Sequence, residues 1–206
     1  MSTTLIGIVG GSCSGKSSIS KKFKQSFGKN CQTICEDSFY KSLTEEQLKT
    51  VKDYNFDHPD AINFKELERV IINIKSGKKK IMMPCYDLKT HQKSRYLEID
   101  LSGVQVIILE GIFLFYHENI RNMLDIKIYV DTDSDIRLTR RIYRDQIERG
   151  RTLESILDRY HKHVKLGYEK YIEPCKKYAN IIIPYGVENY PFLDIFCHIF
   201  CKYTQQ

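Results

Sequence analysis

The sequence predicts an α/β fold, a parallel sheet of about five strands with helices on both faces. Three observations predict it. Short, continuous apolar runs replace the alternating pattern of half-exposed strands. These runs alternate with segments of helical period, which is the grammar of parallel sheets. The first run passes through a glycine-rich turn straight into a helix. Leu5-Ile6-Gly7-Ile8-Val9 is the first buried strand, and Lys16 to Phe27 the helix behind it. Thr33-Ile34-Cys35 is a second strand. Phe64 to Ser76 carries Leu67, Val70, Ile71 and Ile74 at helical spacing and stops at Gly77. From Lys78 to Leu101 the text is strand-like and polar around Pro84, a β-hairpin inserted off the sheet. Val104 to Leu109 is the most apolar strand and leads into Glu110-Gly111, and Ile126 to Val130 is the next. Ser134 to Glu148 and Thr152 to Tyr178 read as helices separated by Gly150. Ile181-Ile182-Ile183 before Pro184 is the last strand, with a C-terminal helix after it.

At 206 residues the chain suits one domain, residues 1–206, with a core that needs no disulfide or structural metal. A hydrophobic fraction of 42% against 28% charged residues excludes disordered and fibrous classes. A net charge of +6 suits an anionic ligand and is too small to argue for nucleic acid. No apolar run approaches the roughly 20 residues of a membrane span. Met1-Ser2-Thr3-Thr4 has no basic n-region or cleavage site, so secretion is not expected. Seven cysteines form no CxxC pair. Cys197 and Cys201 fall in the apolar pattern of Phe192, Ile195, Phe196, Ile199 and Phe200, which favours buried thiols over a zinc site with His198. Reduced thiols point to the cytoplasm.

Gly10-Gly11-Ser12-Cys13-Ser14-Gly15-Lys16-Ser17, continuing into Ser18, fits GxxxxGK[ST] between a strand and a helix. The glycines let successive N–H groups turn inward around a phosphate, and the helix aims its positive end at the same point. Lys16 then reaches the β and γ phosphates while the Ser17 hydroxyl ligates Mg²⁺. The fold class is therefore a P-loop NTPase-type sheet, and the ligand is a nucleoside triphosphate. No Asn-Lys pair of a guanine reader occurs, and Asp100-Leu101-Ser102-Gly103 precedes a strand where a switch motif should follow one. A kinase for a small molecule fits best. Arg137, Arg140, Arg141 and Arg144 share a helix face that Asp135, Asp145 and Glu148 do not balance, and Arg149 and Arg151 follow. The segment 134–151 is then either a solvated surface or a lid carrying arginines over the γ-phosphate. Asp37 follows a strand at the carboxyl edge of the sheet, as general base or as turn cap. Glu110, at the end of the most buried strand, is assigned to Mg²⁺.

Six segments together resemble the uridine kinase (uridine-cytidine kinase) family. They are the P-loop, Asp37-Ser38-Phe39-Tyr40, Asn55-Phe56-Asp57-His58-Pro59-Asp60-Ala61, Pro84-Cys85-Tyr86-Asp87 with His91, Glu110-Gly111-Ile112, and Val130-Asp131-Thr132-Asp133 through Arg140-Arg141, Arg144-Asp145 and Glu148-Arg149-Gly150-Arg151. The resemblance implies phosphorylation of the 5′-hydroxyl of uridine, and of cytidine, by ATP in pyrimidine salvage. It implies Asp37 as base, Asp57 and Arg141 on the ribose hydroxyls, and Tyr86 and His91 of the hairpin on the pyrimidine edge. Tyr40 and Arg151 fall on the nucleoside side and Arg144 and Arg149 on the nucleotide phosphates. Ser17, Asp37 and Glu110 surround Mg²⁺. His58 reads as a structural turn residue. The family's assembly is a homotetramer, with no nucleic acid or membrane partner. The chain departs from the family at Arg159, where a glutamine is usual near the base, at Val164-Lys165-Leu166 and at Pro184-Tyr185-Gly186. A kinase for another ribose- or pentose-bearing acceptor, and a silent nucleotide-binding module, are the other readings.

Overall fold

The continuous apolar runs become strands buried on both faces. The structure, a computed structural model, describes residues 3–185 and 193–198. Strand β1 (Thr4–Gly10) leads into helix α1 (Lys16–Phe27), and β2 is Cys31–Cys35. Helices α2 (Glu45–Lys49) and α3 (Phe64–Lys75) follow, then the hairpin strands β3 (Lys80–Asp87) and β4 (Gln92–Asp100). Next come β5 (Val106–Gly111), α4 (Glu118–Met123), β6 (Ile126–Asp131) and α5 (Ser134–Ile147). α6 (Leu153–Arg159) and β7 (Ile181–Pro184) complete the set. The sheet order is β2-β5-β1-β6-β7, with every pairing parallel.

Period two along β1 divides the core. Leu5 and Val9 join Leu67, Val70, Ile71 and Phe113 on one side. Ile6 and Ile8 join Ile19 and Phe23 of α1 on the other, with Leu193 and Cys197. α3 is capped by Asn63, whose side chain accepts the Glu66 N–H, and buries Leu67, Val70, Ile71 and Ile74. The hairpin stands off the sheet but is pinned at its tip. Leu43 N–H donates to the His91 carbonyl (3.2 Å), and Gln92 Nε2 returns a bond to the Leu43 carbonyl (2.7 Å). Among the described residues no helix is long and apolar enough to cross a membrane.

Three boundaries differ from expectation. β2 starts at Cys31 rather than Thr33. The strand expected over 104–109 runs from Val106 to Gly111. Val104 instead closes a turn onto Leu101 past the left-handed Gly103 (φ 78°), so its apolar side chain belongs to the turn. The helix expected over 152–178 keeps its course but not its period. After α6, Tyr160–Val164 and Tyr168–Ile172 are π-turns around a short α-turn, and Glu173–Tyr178 is 3₁₀. Pro174 removes a donor there, and Gly167 lies so close to the Asp57 carbonyl that a Cβ would collide with it. The expected C-terminal helix is described only over 193–198, and Cys201 lies outside the described residues.

Candidate active site

Strand register gathers the chemistry at one edge. Glu110 of β5 sits between Ile8 of β1 and Cys35 of β2, so the P-loop, Asp37 and Glu110 all emerge at the carboxyl ends of adjacent strands. Gly15 (φ 100°) and Cys13 (φ 63°) are left-handed, which wraps the loop between β1 and α1. No acidic residue occupies the first turn of α1, leaving its positive end for an anion. Lys16 Nζ donates to the Gly10 and Gly11 carbonyls (3.0 and 2.9 Å) and so arches across the loop. Burial lowers its pKa, while Glu110 and Asp37 oppose that shift. Ser17 and Ser18 are exposed on the first turn of α1.

α5 braces this loop from behind. Arg137 is 5% exposed, bonds the Thr132 carbonyl through Nε (2.9 Å) and lies 3.8 Å over the Tyr168 ring. A Cβ on Gly11 would strike its guanidinium. Thr132 Oγ1 donates to the Ser14 carbonyl (3.0 Å), and Arg141 Nη1 to Ser12 Oγ (3.0 Å). Of the arginine face read from the sequence, Arg137 is scaffold.

Asp37 lies in a 3₁₀ turn, Glu36–Phe39, directly after β2. Burial pushes its carboxyl above the ordinary value, and Lys16, Arg149 and Arg144 pull it back. Its neighbour Glu36 is 1% exposed and is pushed up to about 8, chiefly by burial. Glu36 Oε2 accepts the N–H groups of Ile112 and Phe113 (2.6 and 3.0 Å), tying the end of β2 to the turn after β5. Glu110, 8% exposed, accepts the Ser20 hydroxyl (3.3 Å), and burial raises its pKa against Ser17 and Lys16. Ser17, Asp37 and Glu110 supply hard oxygen donors in one place, the chemistry that fits Mg²⁺.

Beside Asp37 opens an aromatic pocket. Tyr40 meets Phe56 and Tyr86 at 5.7 and 5.5 Å between ring centroids, and Phe56 stacks on His91 at 4.8 Å. A bulge between Cys85 and Tyr86 re-aims Tyr86, and His91 takes φ 55° at the hairpin turn. Tyr86 Oη and His91 Nδ1 are buried without a hydrogen-bond partner in the protein, as ligand-reading groups would be. Burial pushes Tyr86 up to about 12, and burial, with Arg159 and Arg151, lowers His91. Asp57 donates its backbone N–H to Asn55 Oδ1 (3.0 Å), and its charge acts on Asp37 and Arg159. Arg159 Nη2 donates to the Tyr54 carbonyl (3.2 Å) and lies 5.6 Å over Phe56. His58 holds a turn, accepting the Asp60 N–H at Nδ1 (3.1 Å) and meeting Tyr171 Oη at Nε2 (2.8 Å).

The structure thus gathers Lys16, Ser17, Asp37 and Glu110 at this edge within reach of the charges of Arg144 and Arg149, and Tyr40, Asp57, Tyr86, His91 and Arg159 at the adjoining pocket, while Arg137 and His58 serve as scaffold. One expectation needs a correction in part. The arginine face is not without an acid: Asp145 is fully buried and meets Arg141 and Arg144 of that face and Arg149 and Arg151 beyond it, one carboxylate among four guanidinium groups. The spacing 141, 145, 149 carried that signal, since i,i+4 neighbours stack along a helix. Glu36 was also missed, and nothing in its local text separates it from a surface acid.

The sequence model described as the phosphoribulokinase / uridine kinase family matches residues 5–190. Uridine-cytidine kinase B of Dictyostelium discoideum is 43% identical over 98% of this chain and 83% of its own length. The uridine kinase of Clostridium novyi is 42% identical over 95% of this chain and 93% of its own. Uridine kinase-like protein 5 of Arabidopsis thaliana is 42% identical, and the chain spans 43% of its length. Among solved structures, phosphoribulokinase from Rhodobacter spheroides has a TM-score of 0.68 at 19% identity, covering 87% of this chain and 69% of that one. D-glycerate 3-kinase from Cryptococcus neoformans has 0.61 at 15%, covering 82% and 78%. Those two bear on the fold alone. With the P-loop, the carboxylates beside it and a family match from strand β1 to beyond β7, the chain belongs to the phosphoribulokinase / uridine kinase family.

Proposed function

We propose that the chain transfers the γ-phosphoryl group of ATP to the 5′-hydroxyl of uridine, and of cytidine, giving the nucleoside monophosphate. The observation that carries this reading is one sheet edge where the P-loop and Asp37 adjoin a pocket holding Asp57, Tyr86 and His91. The names of the relatives, kinases of uridine or cytidine at about 42% identity, support the same acceptor.

Asp37 accepts the proton of the 5′-hydroxyl. The 5′-oxygen of the nucleoside attacks the γ-phosphorus, the bond from that phosphorus to the bridging oxygen breaks, and ADP leaves with the electron pair. A base raised toward the working pH by burial suits this step. Lys16, Arg144 and Arg149 neutralise the moving phosphoryl group. Ser17, Asp37 and Glu110 would hold Mg²⁺, which when bound offsets charge between the β and γ phosphates. Asp57, with Arg141, holds the ribose hydroxyls, so a 2′-deoxyribose leaves a buried acceptor underused. Arg151 and Arg159 flank the base side, where Tyr86 and His91 meet the pyrimidine edge and Tyr40 closes the pocket floor. The segment 134–151 serves as the lid and 78–101 as the nucleoside hairpin of one domain. The reading extends to the cytoplasm, supported by six free cysteines among the described residues.

ATP turnover across uridine, cytidine, 2′-deoxyuridine, adenosine and ribose 5-phosphate tests it. Uridine or cytidine should lead, with 2′-deoxyuridine at least about tenfold behind in kcat/KM. Preference for adenosine or ribose 5-phosphate would move the acceptor to another class, and ATP binding without transfer to any acceptor would leave a binding module.

A further inference from the structure

A fully buried carboxylate that holds four arginines of the site has no part in the mechanism above. Asp145 is 0% exposed. Arg144 meets its Oδ1 through Nε (2.9 Å) and Nη2 (2.8 Å), and Arg149 Nη1 lies 3.4 Å from the same oxygen. Arg151 Nη1 donates to Oδ2 at 3.2 Å, and Arg141 Nε stands 3.7 Å from it. The Arg151 N–H also donates to the Asp145 carbonyl (3.0 Å), so the turn beyond α5 closes on the same residue. The four groups divide between the two substrates. Arg144 feels Cys13 and Asp37 as well as Asp145, and Arg149 acts on Asp37. Arg141 reaches Ser12 of the P-loop, and Arg151 acts on His91 of the acceptor pocket.

We propose that Asp145 is the positioning residue of the transfer site, a fixed internal anion on which the phosphate-facing and acceptor-facing arginines are held together in working geometry. Two physical consequences follow. Four guanidinium groups this close repel one another, and one buried carboxylate offsets part of that repulsion without touching substrate. The same carboxylate also competes with free phosphates for Arg144 and Arg149, so idle anions are held less firmly than they would be by an unneutralised cluster. Burial works against the charge on Asp145, but Arg144, Arg141 and Arg149 outweigh it and keep the carboxyl below its usual range, so the internal anion persists through neutral pH. The proposal rests on the reading of Arg144 and Arg149 as phosphate-facing groups and is independent of which nucleoside is the acceptor.

The test compares the whole chain with Asp145→Asn, which keeps shape and removes charge, and with Asp145→Glu, which keeps charge and displaces it. Two readouts are taken. The first is kcat and KM for ATP and uridine. The second is displacement of a fluorescent ATP analogue by inorganic tripolyphosphate, which needs no acceptor and stands even if uridine is the wrong one. For Asp145→Asn, kcat should fall by about 10–100-fold, the range seen when the partner orienting a functional group is lost. The dissociation constant of tripolyphosphate, taken from the displacement midpoint together with the directly titrated affinity of the analogue, should be lower than in the parent, because the freed guanidinium groups hold it. Asp145→Glu should lose kcat while keeping parental displacement by tripolyphosphate. A merely structural aspartate would weaken tripolyphosphate and nucleotide binding together in Asp145→Asn, and that result overturns the proposal. So does a kcat within about twofold of the parent in either folded variant. If Asp145→Asn does not fold, Asp145→Glu decides: lowered kcat with parental displacement supports the role, and unchanged kcat or weakened displacement refutes it.

Discussion

Asp37→Asn keeps the volume of the side chain and removes the proposed base. Turnover should fall by about 10²–10⁴-fold while ATP still binds, read by single-turnover transfer beside equilibrium nucleotide binding. The base must be unprotonated, so activity is lost as pH falls. Burial raises Asp37, which moves the acid limb of kcat/KM above the ordinary aspartate value of about 3.9. Asp37→Asn should flatten that limb, and a limb that survives the substitution would assign it elsewhere. Glu36, next in the chain, gives the opposite kind of effect. Its folded pKa is raised to about 8, so the folded state binds the extra proton and stability declines as pH rises from the unfolded value toward 8. Glu36→Gln can still accept the Ile112 and Phe113 N–H groups without carrying charge. Thermal unfolding should show the variant gaining on the parent between pH 5 and 8, on the order of 3 kcal/mol at pH 7. A constant difference across that range would mean that Glu36 does not titrate there.

Elements matter here through where they touch. The irregular helical arm from α6 to Tyr178 presses Gly167 against the Asp57 carbonyl. Gly167→Ala must therefore displace the loop that carries Asp57, and KM for the nucleoside should rise several-fold more than KM for ATP. Equal rises in both would deny the arm a role in seating the acceptor. The fold was legible in the sequence where one signal dominated. β1, α1 and α3 were readable because a glycine turn or a clean helical stripe bounds each. The π-turns of the arm were not, because apolar residues three or four apart look alike over one turn whether the helix is regular or widened. Val104 misled for a related reason, since hydrophobicity marks burial and not hydrogen-bond pairing.

The whole molecule concentrates a modest excess of positive charge. Of the chain's charges, Lys16 and the five arginines Arg141, Arg144, Arg149, Arg151 and Arg159 converge on one sheet edge against Asp37, Asp57, Glu110 and Asp145, a local excess of two positive charges within a net +6. KM for ATP should accordingly rise with salt more steeply than KM for the uncharged nucleoside, checked by steady-state kinetics from low to physiological ionic strength. The P-loop was legible because its spacing is a local demand of phosphate geometry. Glu36 was not, because its partners Ile112 and Phe113 are distant and only the fold brings them together, whereas the i,i+4 spacing of Arg141, Asp145 and Arg149 was written in the sequence and the burial of Asp145 was not. The most direct measurement is a crystal structure with uridine, Mg²⁺ and a non-hydrolysable ATP analogue bound together. The 5′-oxygen should lie within hydrogen-bond reach of the Asp37 carboxylate, about 2.6–3.2 Å, and in line with the terminal phosphorus. A closed complex with that oxygen turned away from Asp37 would contradict the mechanism.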